Sequence, residues 1–197
     1  MQRRRFLVYA AAAPLAMAIG CKPRLEKKPD SGAAPTKRRI PPAPTASNAK
    51  VLTVAEWVTL EALCARLLPT DKDPGASEAG VVGYIDSQLS HPPVAGFARM
   101  MRSGLRAVDR FARKLHRRRF ADLDAARQDK VITVTMRSRR MGGRSGAQFY
   151  RVVVSLMLEG FLCDPVYGGN RGEVGWKLVG HVPQLPRPLK PYSSWRA

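Results

Sequence analysis

The sequence has few of the residue types that build catalytic and metal sites. It contains 3 cysteines, 3 histidines and 15 acidic residues in a chain of 197. The histidines, His91, His116 and His181, are scattered at no spacing typical of metal ligands. The sequence also has no glycine-rich phosphate loop after a strand, no Gly-x-Ser-x-Gly nucleophile elbow and no Cys-x-x-Cys-His haem-attachment pattern. It therefore predicts no metal site and no catalytic residue, and we interpret the chain as not itself an enzyme.

Alternation of apolar and polar residues, the pattern of a half-buried strand, does not occur over any useful length. Apolar residues at helical spacing occur instead, so the sequence predicts an all-α fold, a compact domain of about five helices within residues 51–182. Thr53 and Glu56 have the spacing of a capping box at the start of the first helix, and Pro69 ends it. The other predicted helices cover residues 77–89 (ended by Pro92 and Pro93), 97–115, a segment from Asp124 with Val131, Ile132 and Thr135 buried, and 147–161; an irregular proline-rich tail follows over 183–197.

Basic residues outnumber acidic ones by 34 to 15, and the excess is concentrated in one block. Residues 99–151 carry 16 basic and 4 acidic side chains, whereas residues 51–98 carry 2 and 6. On the third predicted helix, apolar residues and arginines both recur at steps of three and four, on opposite faces. The apolar set is Phe97, Met101, Leu105, Val108, Ala112 and Leu115, and the arginine set includes Arg99, Arg102, Arg106, Arg110 and Arg113.

Only Asp109 opposes this row of arginines within the helix. A row of like charges repels itself, and guanidinium groups form planar, bidentate pairs with carboxylate and phosphate. We therefore expect the row to bind an acidic partner or anionic lipid; a merely solvated charged face is the alternative interpretation.

The N-terminus has the pattern of an export signal. Arg3-Arg4-Arg5-Phe6-Leu7 is followed by an apolar run to Ile19 and then by Gly20 and Cys21. The Arg-Arg-x-Phe-Leu sequence resembles a twin-arginine signal, and the residues before Cys21 resemble a lipobox with Ala18 in place of the usual leucine. We predict a signal peptide over residues 1–20 and lipidation of Cys21, with an ordinary signal and an incidental cysteine as the alternative. Residues 21–50, rich in proline and lysine, then form a disordered tether on the periplasmic side of a membrane, and export argues against nucleic acid as a partner.

Cys64 and Cys163 are the cysteines that remain once Cys21 is assigned to lipid. In an oxidising compartment the two could form a disulfide, and two buried free thiols are the equal alternative. Both lie among apolar neighbours in predicted helices, which favours burial in either case.

One segment near the C-terminus, residues 159–170 followed by Trp176 and Gly180, has an unusual composition. We name its part from residue 164 to residue 176 the signature segment. Its Asp-Pro pair starts a turn, and its glycines and asparagine allow positive φ angles. Two interpretations are open: a helix stop followed by a tight loop packed on the core, or a docking surface anchored by aromatic side chains. The residues concerned are Asp164, Pro165, Tyr167, Gly168, Gly169, Asn170 and Trp176.

The signature segment resembles that of the gluconate 2-dehydrogenase subunit 3 family, the small subunits of membrane-associated flavin dehydrogenase complexes. Leu52 to Pro69 is similar to the opening helix of the family, and Pro74 to Asp86 to its second block. The resemblance covers roughly residues 52–180 and departs from the family at Cys64, at Cys163 and in the unusually basic middle.

This resemblance implies a non-catalytic subunit that escorts and supports a flavoprotein of the glucose–methanol–choline type, which has no export signal of its own. It implies no cofactor in this chain, FAD in the catalytic subunit, and haem c where a cytochrome c subunit is present. An orphan envelope lipoprotein that binds anionic lipid or cell-wall polymer is the alternative.

Overall fold

Six α-helices make up most of the chain that the computed structural model describes, which is residues 44–141, 143–184 and 187–188. All of these residues belong to one compact unit. The described residues form no strand, and an isolated bridge joins Met141 to Arg144, so the predicted all-α fold is confirmed. The helices are α1 (Val54–Leu67), α2 (Val81–Leu89), α3 (Pro92–His116), α4 (Ala125–Met136), α5 (Gly146–Leu162) and α6 (Val174–Val179). Four short 3₁₀ turns lie between or before them: Ala46–Asn48, Phe120–Asp122, Pro165–Tyr167 and Arg171–Glu173.

The capping box predicted for the first helix is confirmed. The Thr53 hydroxyl accepts a hydrogen bond from the Glu56 backbone N–H at 3.3 Å, and a Glu56 carboxylate oxygen accepts one from the Thr53 N–H at 3.0 Å. The helix ends at Leu67, before Pro69. The caps Asp124 of α4 and Ser145 of α5 each accept a hydrogen bond from the backbone N–H three residues on.

Helix α2 is shorter than predicted, because it begins at Val81 and not at residue 77. Gly80 has a φ of +68°, in the left-handed region, and a right-handed helix cannot continue through that conformation. Pro92 and Pro93 also have another role than predicted: they occupy the first turn of α3. Proline suits this position because the first backbone N–H groups of a helix have no partner within it.

Helix α3 is the centre of the domain, and α1, α2, α4 and α5 all pack against it. Met101, Leu105 and Val108 of its predicted apolar face are fully buried, as is Ala112. The prediction is wrong for Phe97 and Leu115, which are 44% and 40% exposed, because they lie toward the ends of a 25-residue helix. In α4, Val131, Ile132 and Thr135 are buried as predicted.

The short helix α6 was not predicted, and it packs on α5. The predicted signal peptide, Cys21, the predicted tether up to residue 43 and most of the predicted tail lie outside the described residues.

Candidate functional site

The signature segment folds into a loop that ends α5 and then turns back onto it. Asp164 caps the 3₁₀ turn Pro165–Tyr167 by accepting a hydrogen bond from the Val166 N–H at 3.0 Å. Gly168 follows with a φ of +96°. Gly169 lies so close to α5 that a Cβ there would meet the Gly160 carbonyl oxygen at 2.2 Å.

Asn170 joins both sides of this loop to the domain. Its side chain is fully buried, in the left-handed conformation that asparagine tolerates better than most residues. Its backbone N–H donates to the Gly160 carbonyl at 2.7 Å, and its side-chain amide donates to the Cys163 carbonyl at 2.9 Å. Its side-chain oxygen accepts a hydrogen bond from the Gly175 N–H at 2.8 Å. One residue therefore connects the end of α5 to the start of α6.

Trp176 completes the loop from α6. Its indole N–H donates to the Leu162 carbonyl at 2.6 Å, so it satisfies one of the carbonyls that a helix leaves unpaired at its C-terminus. Gly175 allows this approach, because a Cβ there would lie 1.9 Å from the Phe161 carbonyl oxygen.

Arg187 belongs to the same cluster and was not among the predicted site residues. Its guanidinium donates to Asp164 at 3.1 Å and to Glu173 at 2.7 Å, and it stacks 4.7 Å from the centre of the Trp176 ring. The side chain is only 14% exposed. Arg187 lies 23 residues from Asp164, and no periodic pattern connects two positions that far apart.

The signature segment therefore forms the helix stop and tight packed loop of the first interpretation. Five of the seven predicted segment residues are buried, and Asp164 and Tyr167 are partly buried. Contact between this segment and a partner stays a prediction. The buried five are Pro165, Gly168, Gly169, Asn170 and Trp176.

The second predicted site is the arginine face of α3, which we define as Arg99, Arg102, Arg106, Arg110 and Arg113. Within α3 only Asp109 opposes it, as the sequence indicates, but Glu56 of α1 also lies against it. A Glu56 carboxylate oxygen accepts a hydrogen bond from Arg102 at 2.9 Å, and its other oxygen lies 3.6 Å from Arg106. Glu56 is 3% exposed, and an uncompensated charge at that depth would be costly. The sequence predicts Glu56 as a capping-box residue but does not predict its ion pair with Arg102. The two residues are 46 positions apart, so no local sequence pattern connects them.

The rest of the arginine face is divided between internal and surface roles. Arg113 pairs with Asp109 at 2.9 Å on the same helix. Asp109 also accepts a hydrogen bond from the Phe120 N–H at 2.9 Å, which connects α3 to the following turn. Arg99 and Arg110 are exposed, and neither makes an ion pair with a residue that the structure describes.

Cys64 and Cys163 are both free thiols, as in the second of the two arrangements left open by the sequence, but Cys64 is buried and Cys163 only partly so. Burial raises the pKa of Cys64 to about 12, with a further contribution from the charge of Glu61. Burial also raises the pKa of Cys163 to about 11, even though hydrogen bonds from the backbone oppose the shift. At neutral pH both are therefore protonated and poorly nucleophilic.

Within the described ranges, no three histidine, cysteine or acidic side chains come together as metal ligands. None of the helices placed by the structure combines the length and apolarity that a membrane span needs. Cys21, the predicted lipidation site, precedes the described part of the chain.

These features define a class of protein: a small helical domain that keeps its glycine-rich segment inside and presents a basic face. The chain belongs to the gluconate 2-dehydrogenase subunit 3 family, whose model matches residues 54–183. The match begins at the first residue of α1 and includes the whole signature segment. No curated protein and no solved structure gives a significant match to the chain.

Proposed function

We propose that this chain is a non-catalytic accessory subunit that escorts a flavin-dependent dehydrogenase of the gluconate or glucose type across the membrane and supports it there. The observation that carries the proposal is the family match over residues 54–183. The partner we propose is a flavoprotein of the glucose–methanol–choline type that holds FAD, with a cytochrome c subunit in complexes that contain one.

Export is the first proposed role, and it rests on Arg3 and Arg4. A twin-arginine signal carries folded proteins, so a partner already bound to this domain would cross with it. Lipidation of Cys21 would then hold the complex at the periplasmic side of the membrane. The proline-rich tether gives the domain reach from that anchor.

Docking through the arginine face is the second proposed role. Arg99 and Arg110 are exposed cations without an ion pair among the described residues. An acidic surface on the flavoprotein would pair with them and would speed association.

The first experiment expresses the tagged chain in its native host and asks what copurifies from the membrane fraction. We expect a flavoprotein with a bound FAD spectrum, and we expect that flavoprotein to stay in the cytoplasm when this chain is deleted. Changing Arg3→Lys together with Arg4→Lys should have the same effect, whereas Arg5→Lys is a matched control outside the arginine pair. Recovery of the chain alone from native membranes would contradict the proposal.

The docking role has a separate test. The double change Arg99→Gln and Arg110→Gln should lower the yield of copurified flavoprotein. It should also make that yield less dependent on salt concentration. The double change Lys130→Gln and Arg151→Gln removes two exposed cations from α4 and α5 and should leave the yield unchanged. Equal losses in the two double variants would exclude a specific role for the arginine face.

The same exposed arginines favour a second candidate function, an orphan envelope lipoprotein that binds anionic lipid or cell-wall polymer. In that case the full chain would bind anionic vesicles more tightly than neutral ones, and no flavoprotein would copurify with it.

A further inference from the structure

A cleft of about 270 Å³ opens between the start of α1 and the middle of α3. Glu56 and Arg106 face each other across it, and Asp109 lies further along α3. Leu105, Ala55 and Thr59 also line it. The export role does not use this cleft, and Arg99 and Arg110, the exposed arginines proposed to dock the flavoprotein, do not line it.

One oxygen of the buried Glu56 carboxylate is left without a hydrogen bond. Its Oε2 accepts hydrogen bonds from the Thr53 N–H and from the Arg102 guanidinium. Its Oε1 is buried and has no hydrogen-bond partner among the described residues. A buried acceptor that stays unpaired costs free energy, so a ligand with an N–H group would find a ready acceptor here.

Arg106 supplies a donor beside this acceptor. Its Nη1 lies 3.6 Å from Glu56 Oε1, which is beyond hydrogen-bond distance. The Arg106 side chain is 59% exposed, and its hydrogen bond to Ser103 is long at 3.5 Å. Arg106 is therefore weakly held and able to turn toward a ligand without breaking a strong contact.

The charges around the cleft restrict what it accepts. Arg102, Arg106 and Arg113 stand against the carboxylates of Glu56 and Asp109, a balance of one positive charge. A cationic ligand would be repelled by this excess of positive charge. A carboxylate has no N–H for Glu56 Oε1 and would lie beside two other carboxylates. A neutral carboxamide carries an N–H donor next to a C=O acceptor, which matches Glu56 and Arg106 together.

We propose that the cleft is a binding site for one carboxamide group, whose N–H donates to Glu56 Oε1 and whose carbonyl accepts from Arg106. The exposed Ala55 methyl would pack against the carbon atoms attached to that amide. The Thr59 hydroxyl does not compete as a donor, because it already donates to the Ala55 carbonyl at 2.9 Å.

The amide has two chemical sources, an Asn or Gln side chain and a peptide group of a backbone. If the proposed function holds, the flavoprotein subunit would supply it. The site itself is tested on the purified full chain with free amides, so the result does not depend on the existence of that partner.

The experiment is an NMR titration of the purified chain that follows the Glu56 carboxylate and the Arg106 guanidinium. Acetamide stands for a side-chain amide and N-methylacetamide for a peptide group. Acetate and guanidinium test the anionic and cationic alternatives at equal ionic strength. We expect weak, saturable shifts at both residues with acetamide, N-methylacetamide or both, and not with acetate or guanidinium; the stronger of the two amides identifies the source.

Two variants keep the proposal open to refutation. Glu56→Gln places a donor where Oε1 was, because Arg102 and Thr53 still require the oxygen on the other side, and it should abolish amide binding. Since this change touches a buried group, the exposed Arg106→Gln is the second variant, and it should weaken acetamide binding about tenfold. Arg151→Gln, at an exposed arginine of α5 outside the cleft, should leave binding unchanged.

Three outcomes would each overturn the proposal. They are tighter binding of guanidinium than of acetamide, no saturable shift with either amide, and equal affinity in Arg106→Gln and the unchanged chain.

Discussion

The signature segment and the arginine face are the two regions that stand out most in the sequence, and the structure uses them in opposite ways. In the signature segment, Asn170 and Trp176 bind backbone groups of the domain itself. In the arginine face, Arg102 pairs inward with Glu56, whereas Arg99 and Arg110 remain exposed. Docking was the expectation for the arginine face and one of two interpretations of the signature segment. The arginine face leaves most of its charged groups on the surface, whereas most of the predicted residues of the signature segment are buried.

The difference has a physical cause. Glycine, asparagine and proline in a row mark a backbone path that other residues resist, and such a path is fixed by contacts within the fold. A row of arginines has no conformational requirement that explains it, so its excess charge calls for a partner outside the helix. We therefore expect changes in the signature segment to affect stability, and changes at Arg99 and Arg110 to affect association.

Alkaline pH should have the largest effect on the stability of the domain, because it acts on several buried groups at once. The folded-state pKa values of Cys64, Cys163 and Tyr150 are raised by burial to about 12, 11 and 12. The pKa of Tyr84, beside Glu159, is raised by burial as well. A raised folded-state pKa means that the folded protein holds the proton more tightly than the unfolded chain. This contribution to stability is complete below the ordinary cysteine pKa of 9.0 and is lost as the pH rises toward the folded-state values.

We thus expect the domain to unfold between about pH 10 and pH 12, while its arginines keep their charge. Circular dichroism at fixed temperature across this range measures the transition. Cys64→Val removes the most buried thiol and should move the midpoint to higher pH. An unchanged midpoint in that variant would mean that Cys64 does not contribute.

Gly175→Ala should destabilise the signature segment more than any other single change considered. The new Cβ would meet the Phe161 carbonyl oxygen at 1.9 Å, and a backbone atom cannot move aside cheaply. We expect a loss of about 4 kcal/mol in the free energy of unfolding, measured by chemical denaturation. Gly96→Ala is the matched control, because a Cβ there meets nothing within 4 Å, and it should stabilise α3 by about 0.5 kcal/mol. Similar effects of the two changes would argue against the close approach at Gly175.

The fold could be predicted from the sequence wherever a helix is long and its apolar residues are periodic. Helices α1, α3, α4 and α5 were found in this way, and the capping residues Thr53 and Asp124 located two of their starts. The start of α2 was misplaced because the left-handed Gly80 leaves no periodic signal. Helix α6 has six residues, too few to show a period.

The site residues could be predicted only as far as local patterns reach. The arginine row is visible because its members share one helix. Its partner Glu56 comes from α1, and Arg187, which binds Asp164, comes from a segment without regular structure. Contacts of this kind depend on the tertiary arrangement of helices, which one sequence does not encode in a short pattern.

Asn170→Ala should have the next largest effect in the signature segment. It removes the side-chain hydrogen bonds to the Cys163 carbonyl and the Gly175 N–H inside the domain, and we expect a loss of about 3 kcal/mol. Asn170→Gly tolerates the left-handed backbone but lacks the amide, so it should recover only the conformational part of that loss. Asn48→Ala, at an exposed asparagine, is the control and should cost less than about 1 kcal/mol. If Asn170→Gly were as stable as the original protein, the hydrogen bonds of the amide would be irrelevant and only the backbone conformation would count.

The smallest expected effects come from two arginine ion pairs that differ in burial, one from each region. Arg187→Gln removes two carboxylate contacts and the stacking on Trp176, all with a side chain that is 14% exposed. We expect a loss of about 2 kcal/mol in the free energy of unfolding, because the carboxylate of Asp164 is left in a partly buried position. Arg113→Gln breaks the pair with Asp109, in which the arginine is 58% exposed, and should cost at most about 0.5 kcal/mol. Added salt should widen the gap between the variants slightly, because screening acts mainly on the exposed pair and lowers the cost of breaking it. If instead Arg113→Gln were the more destabilising change, the arginine face would serve the stability of the fold as much as the signature segment does, and the division between the two regions would fail.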